Sequence, residues 1–436
     1  MILRDKYLSQ LINSKNNGFP KVITGIRRCG KSYLLKEIYK NYLTQIGVLE
    51  TDILIIELDD DKNVDLLNPL KLGSFVREWS KNKSSCYVFL DEIQRVYKII
   101  NPALTNGEII IAKDKDENTI SFVEVVLGLS REKNIDLYVT GSNSKMLSSE
   151  VSTEFRDKAT EIQMRPLSFK EYFDYVGGSK NDALAEYMMH GGMPLAVLLP
   201  NQDKETYLKK LFEKTYLKDI IEHNKIIKSE SLNELCKILA TSTGDLLNAD
   251  RIANTYQSIK HEKIDKETVT KYLSFFKDSM MIDEVERYDL KGKKIIGSTR
   301  KYYFNDIGLR NAKAGFTFFD EGKVIENIVY NELIFNNYNV TVGTFETFDK
   351  NKEGKTVRAS NEMDFYATKG NEAFYFQISA DVNDIKTKNR EIKPFTKLND
   401  GTRKVLVINR PLPKMVDENN YTIIGLADFL LDFLKQ

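Results

Sequence analysis

Short apolar runs and helical stretches alternate along the first 150 residues. "KVIT" (21–24) is a β-branched run suited to a buried strand. The segment after it places Leu34, Leu35, Ile38 and Tyr42 at helical spacing. "CYVFLDEIQRV" (86–96) and "IDLYVTGSNSKML" (135–147) each open on a further buried-strand run. This order predicts an α/β unit with a parallel sheet. Residues 166–225 read as helices with few turn signals. Residues 231–305 have another rhythm: Leu232, Leu235 and Leu239 share one helix face, and "NADRIANTYQSI" is a second short helix. A third helix starts at the N-cap Asp265 and turns Val269, Leu273 and Phe276 inward. A strand–turn–strand follows, with Gly292 in the turn, so this stretch predicts a winged helix-turn-helix. From Gly322 an amphipathic helix with Ile325, Ile328, Val329 and Leu333 on its core face leads into "YNVTVGTF", "NEMDFYAT", "AFYFQIS" and "KVLVIN". No repeat or low-complexity linker separates these regions, which predicts closely packed domains.

Composition removes several function classes. With 42% hydrophobic and 29% charged residues, 436 residues are ample for more than one core. A net charge of +1 rules out a global basic field, so any nucleic-acid contact must use a local patch. Three cysteines and three histidines, none at metal-ligand spacing, leave no disulfide framework or zinc site. The first residues are charged where a signal peptide needs an apolar run, and no run is long enough to cross a bilayer. The expectation is a cytoplasmic protein with no membrane partner.

The chemistry starts at "GIRRCGKSYLL" (25–35), which fits GxxxxGK[ST] between a strand and a helix. Residues Gly25, Ile26, Arg27, Arg28, Cys29, Gly30, Lys31, Ser32 and Tyr33 are the expected ATP-binding set. Loop and helix N–H groups would cradle the phosphates. Lys31 would reach the β and γ phosphates and Ser32 would hold Mg2+. Asp91 and Glu92 end the second strand, where they face the ligand crevice. Asp91 is the second Mg2+ residue, and Glu92 the residue that orients or deprotonates the attacking water. Ser142 or Asn143, at the end of the third strand, is placed to sense the γ-phosphate, and Asn143 is carried forward as the catalytic candidate. Arg156 is the candidate arginine finger, in cis or supplied by another copy in a homo-oligomer.

Together "ITGIRRCGKS", "VFLDEIQ", "YVTGSNSKMLSS", "PLSFKEY" and "GGMP" resemble the prokaryotic AAA-superfamily ATPases that carry a C-terminal winged helix and a restriction-endonuclease-like domain. The resemblance implies a P-loop NTPase of AAA type at 1–165, a helical lid at 166–228, a winged helix-turn-helix at 229–310 and a nuclease-like α/β domain at 322–436. Family members often carry Gly-Arg or Arg-x-Arg where this chain has Phe155-Arg156-Asp157-Lys158. An excursion at 97–122 reads as an inserted β-hairpin, either inert or in contact with DNA or a neighbouring subunit.

In a winged helix the third helix enters the major groove. Thr270, Lys271 and Lys277 on it, with Lys293 and Lys294 on the hairpin, are the candidate DNA contacts. The hairpin from Glu286 to Lys301 carries a net +4, which suits phosphates. In the nuclease-like fold the resemblance maps the site onto Glu326, Asp364 and Gln377. Ser379 stands where that family places a lysine, so the site reads as degenerate, with Lys386 or Lys388 as the remaining sources of a cation. The expected function is Mg2+-dependent ATP hydrolysis driving a switch or motor on double-stranded DNA. An ATP-regulated nuclease and a regulatory or defence switch that docks a protein are the alternatives.

Overall fold

A computed structural model describes residues 2–113, 116–141, 155, 157–316, 320–350, 356–380 and 392–435. The chain divides into two compact units, Met1–Arg165 and Pro166–Gln436.

In the first unit, β1 (Lys21–Gly25), β2 (Ile53–Glu57), β3 (Cys86–Asp91), β6 (Ile135–Thr140) and β7 (Thr160–Met164) form one parallel sheet in the order β2-β3-β6-β1-β7. Strands β1, β3 and β6 are buried along their whole length, and the charged members of β1 and β6, Lys21 and Asp136, pair with one another in the interior. The helices Pro69–Ser80 and Phe122–Leu129 cover one face and pack Leu72, Val76 and Val126 onto Val22, Val88 and Leu137. Each starts at a strong cap. Asn68 accepts the N–H of Leu70 at 2.9 Å, and Ser121 with Glu124 forms a capping box. Such caps are worth about 1 kcal/mol each. The insertion contains β4 (Ile99–Ile100) and β5 (Thr119–Ile120), paired antiparallel outside the main sheet.

In the second unit, residues 166–228 form helices that are stitched to the helix Ile307–Lys313. Asn311 donates to the carbonyls of Met188 and Met189. Asp306 caps Leu309 and accepts the N–H of Gly192 at 2.7 Å. Gly192 has no alternative, because a Cβ there would lie 2.2 Å from the Leu167 carbonyl oxygen. The segment expected as a lid is therefore integral to the second unit.

Three helices, Ser229–Thr241, Ala249–Lys260 and Lys266–Asp278, precede β8 (Ile282–Asp289) and β9 (Lys294–Phe304), in the order a winged helix requires. The hairpin is not free-standing. With β10 (Asn339–Lys350), β11 (Thr356–Lys369), β12 (Glu372–Ser379), β13 (Arg403–Ile408), β14 (Met415–Val416) and β15 (Thr422–Gly425) it makes one sheet, ordered β14-β15-β13-β12-β11-β10-β8-β9. The junction is the parallel pairing of β8 with β10, which sets Arg287 beside Val342. The helix Glu321–Phe335 packs on this sheet and buries Ile325, Ile328, Val329 and Leu333.

Candidate functional site

Gly25 ends β1 with φ 148°, and a Cβ there would lie 2.2 Å from the Met164 carbonyl oxygen on β7. The loop begins with glycine because the neighbouring strand leaves no room for a side chain. Gly30, at φ 103°, turns the chain into the helix that starts at Lys31. Ile26 and Cys29 point inward, whereas Arg27, Arg28 and Tyr33 are exposed. The loop's side chains thus divide into two that anchor it and three that face outward.

Lys31 is 4% exposed, and its Nζ donates to the carbonyl oxygens of Gly25, at 2.9 Å, and Ile26, at 3.2 Å. Its ammonium therefore lies across the mouth of the loop. Ser32 Oγ donates to Asp91 Oδ1 at 2.9 Å. Thr140, ending β6, donates to the same oxygen and accepts the N–H of Glu92 at 3.1 Å. Glu92 sits at φ 56°, a left-handed conformation uncommon outside turns and functional sites. Its carboxylate takes a hydrogen bond from Gln94. The residues predicted at the ends of β1 and β3 are thereby brought together. Ser142, Asn143 and Arg156 lie outside the described residues.

Three neighbours were missed in the sequence. Thr140 is the last residue of the strand whose following residues drew attention. Glu57 ends β2 in register with Asp91. Lys36 is four residues after Ser32, in a π-helical turn spanning Leu34–Tyr39, and lies 2.7 Å from Glu57 and 3.4 Å from Asp91. Burial works against the Lys36 charge, but Glu57 and Asp91 more than offset it and hold the ammonium above its usual range. Helical spacing from Ser32 was the available signal for Lys36. A serine hydroxyl and a carboxylate converging at the end of a phosphate-loop strand are hard oxygen donors of the kind Mg2+ takes, so these residues fit that ion.

The second cluster is in the C-terminal sheet. Glu326 projects from the helix Glu321–Phe335, and Asp364 and Glu362 lie on β11. Phe365 pairs with Phe376, which sets Asp364 beside Gln377, and Asp364 Oδ2 accepts the N–H of Ile378 at 2.7 Å. Lys301 on β9 reaches in from the hairpin. Its Nζ is 2.8 Å from Glu326 and 2.8 Å from Glu362, and its side chain is 4% exposed. Tyr303 donates to Glu326 at 2.6 Å. Burial opposes the Lys301 charge, yet Glu326, Glu362 and Asp364 hold the ammonium well above its usual range. Burial and the adjacent Glu326 raise the Asp364 carboxyl well above the ordinary carboxylate range.

The net +4 of the hairpin counted Lys301, which is instead buried between Glu326 and Glu362. Arg300 is likewise taken, by Glu286 at 3.0 Å, and Lys277 by Glu284 at 3.2 Å. Thr270, Lys271, Lys293 and Lys294 remain exposed. Lys386 and Lys388 lie outside the described residues.

A divalent cation does not fit the second cluster. Glu326 Oε1 already receives both Lys301 and Tyr303, and a Cβ at Gly244 would lie only 3.2 Å from that oxygen. Among the described residues no group of three or more His, Cys, Asp or Glu side chains is placed to hold a metal ion. No helix among them is long and apolar enough to cross a membrane.

A phosphate loop following β1 of a five-stranded parallel sheet, with the acidic end of β3 beside it, defines a P-loop NTPase fold. Residues 17–173 match the family described as the AAA domain, so this part of the chain is an AAA domain. Residues 181–320 match a domain of unknown function, DUF8612. The chain is 29% identical over 440 residues to an uncharacterized protein of Haemophilus influenzae, covering 99% of each. An uncharacterized protein of Methanocaldococcus jannaschii is 25% identical over 391 residues, 86% of this chain and 78% of its own length. Among solved structures, the Walker-type ATPase of Pyrococcus abyssi is 15% identical, over 72% of this chain and 96% of that one, with a TM-score of 0.45.

Proposed function

We propose that the protein is a Mg2+-dependent ATPase whose nucleotide cycle drives a conformational switch or motor on double-stranded DNA, without nuclease activity. The observation that carries this reading is the convergence of Lys31, Ser32, Asp91 and Glu92 at the ends of β1 and β3. Mg2+–ATP would supply the phosphoryl group and the metal that offsets its charge. Lys31 would exchange the Gly25 and Ile26 carbonyls for phosphate oxygens. Ser32 and Asp91 would hold the ion, and Thr140 keeps Asp91 and the Glu92 backbone in register. Glu92 would orient the attacking water and take its proton. Arg156 would supply the arginine finger in cis or from a second copy, with Asn143 as the γ-phosphate sensor. Exposed Thr270, Lys271, Lys293 and Lys294 support a DNA contact by position and charge.

A second reading is a regulatory switch that docks a protein. It is favoured by the loss of Lys301 and Arg300 from the basic face, which shrinks the patch a phosphate backbone would meet.

The test is steady-state ATP hydrolysis with and without double-stranded DNA, at low and moderate salt, beside Lys31→Ala and Glu92→Gln. Mg2+-dependent turnover that DNA stimulates, absent from both variants, is the expected result. Turnover indifferent to DNA favours the protein partner, and no Mg2+-dependent turnover at all overturns the ATPase reading.

A further inference from the structure

We propose that Lys301 stands in for a divalent cation, so that the acidic cluster of Glu326, Glu362 and Asp364 is completed by the chain itself and takes up no metal. Carboxylates from a helix and a sheet strand converge here, an arrangement that is unfavourable unless a cation is shared among them. The Lys301 ammonium is that shared cation, 2.8 Å from oxygens of two different carboxylates. A metal in its place would need the same oxygens at roughly 2.0–2.6 Å around one open centre. Those oxygens are already engaged: Glu326 by Lys301 and Tyr303, and one Asp364 oxygen by the Ile378 N–H.

The ammonium is also held in place. The Asn327 side chain bonds both the N–H and the carbonyl of Phe304, at 2.9 and 2.8 Å, and ties β9 to the helix Glu321–Phe335. Tyr303 stacks on Tyr330 with ring centres 4.5 Å apart. Lys301, two residues before Tyr303 on the same face of β9, is thereby fixed over the carboxylates. An ammonium held between Glu326 and Glu362 occupies the place of a metal and, unlike one, offers no coordination position for a water or a phosphate oxygen. The cluster is a permanent joint between the hairpin and the C-terminal sheet, and metal-assisted hydrolysis has no centre there.

The test titrates Mn2+ into the full-length protein carrying Ser32→Ala and Asp91→Asn, which removes the N-terminal cation ligands, and follows free Mn2+ by electron paramagnetic resonance. With Lys301 present, no uptake is expected up to about 1 mM, the weak end of protein divalent sites. Lys301→Met in that background should gain one equivalent of bound Mn2+ and lose it again with Glu326→Gln. Mn2+ uptake that needs Glu326 while Lys301 is present overturns the inference, as does a folded Lys301→Met protein that takes up none. Should Lys301→Met not fold, thermal melting of the Lys301 protein decides. Equal melting in EDTA and MnCl2 is expected, and a Mn2+-induced rise abolished by Glu326→Gln overturns the inference.

Discussion

The phosphate-loop region and the C-terminal acidic cluster each set lysines against polar oxygens, and they do so in opposite ways. Around Asp91 every contact has an alternative. Lys31 rests on backbone carbonyls, Ser32 and Thr140 share one oxygen, and Lys36 divides itself between Asp91 and Glu57. These groups cluster at strand ends, where an incoming ligand can replace one partner by another. Around Lys301 the partners lie within the packed second unit and are satisfied in a single arrangement. An arrangement with several near-equivalent partners suits exchange, and one with a single partner set suits permanence. The difference is one of redundancy, since both regions use the same residue types and Lys31 and Lys301 are about equally buried.

The largest expected effect comes from breaking the permanent side of this contrast. Lys301→Met leaves three carboxylates without their cation. Removing one partner of a buried ion pair costs about 3–5 kcal/mol, and the partial exposure of Glu362 places this case near the lower figure. Denaturant unfolding of the second unit should report it as a lower midpoint. An unchanged midpoint would mean that the Lys301 contacts add nothing and that the contrast is false.

The exchangeable side breaks in rate rather than in stability. Lys31→Ala and Glu92→Gln should each lower ATP turnover by about 100-fold or more, roughly 2.7 kcal/mol of barrier, with unfolding midpoints close to the parent. Glu92 is the sharper probe, because the amide keeps the size of the side chain and removes only its basicity. Phosphate release and circular dichroism on the same samples separate the two outcomes.

The two regions also differ in how much the sequence discloses. The loop from Gly25 to Ser32 is contiguous, and the demands of a phosphate on backbone and lysine are written in eight adjacent residues. Asp91 and Glu92 were legible because an apolar run must end before an acidic pair. Thr140 and Glu57 were not, since their role depends on which strands become neighbours, and strand order is set by tertiary packing. Lys301 was misread for the same reason. In the sequence it closes a basic hairpin, and its carboxylates are 25 and 61 residues away. A local signal existed in the following "YYF", three consecutive residues that are buried and mark the end of β9 as interior. The hairpin's entry into an eight-stranded sheet had no local signal, because the parallel pairing of β8 with β10 bridges β9 and two intervening helices.

A third, intermediate effect concerns pH. Burial raises the Asp306 carboxyl to about 6, against hydrogen bonds from the N–H groups of Gly192, Leu309 and Gly308 that pull it down. An unfolded aspartate titrates near 3.9. The folded state therefore holds the proton more tightly. The resulting stabilisation is complete below about pH 4 and is lost as pH rises through about 6, roughly 3 kcal/mol in all. Unfolding of the second unit measured between pH 4 and 7 should contain this slope, and Asp306→Asn should remove it. The slope is the readout rather than the midpoint, because the new amide sets an NH2 group against the Gly192 N–H. A slope unchanged in Asp306→Asn would assign the pH dependence elsewhere.

The smallest effect probes the exchange itself. If Lys36 competes with Mg2+ for Asp91, then Glu57 is what draws the ammonium aside. Lys36→Met should lower the Mg2+ concentration needed for tight nucleotide binding, and Glu57→Gln should raise it. Partly exposed ion pairs are worth about 0.2–1 kcal/mol, so each shift should be no more than about five-fold. The opposite signs carry the weight here. A purely structural role for the pair would weaken binding in both variants, whereas competition moves them apart. Titrating Mg2+ against a fluorescent ATP analogue distinguishes the cases, and in the double variant the two shifts should fail to add, because with Lys36 gone Glu57 has no ammonium left to draw from Asp91.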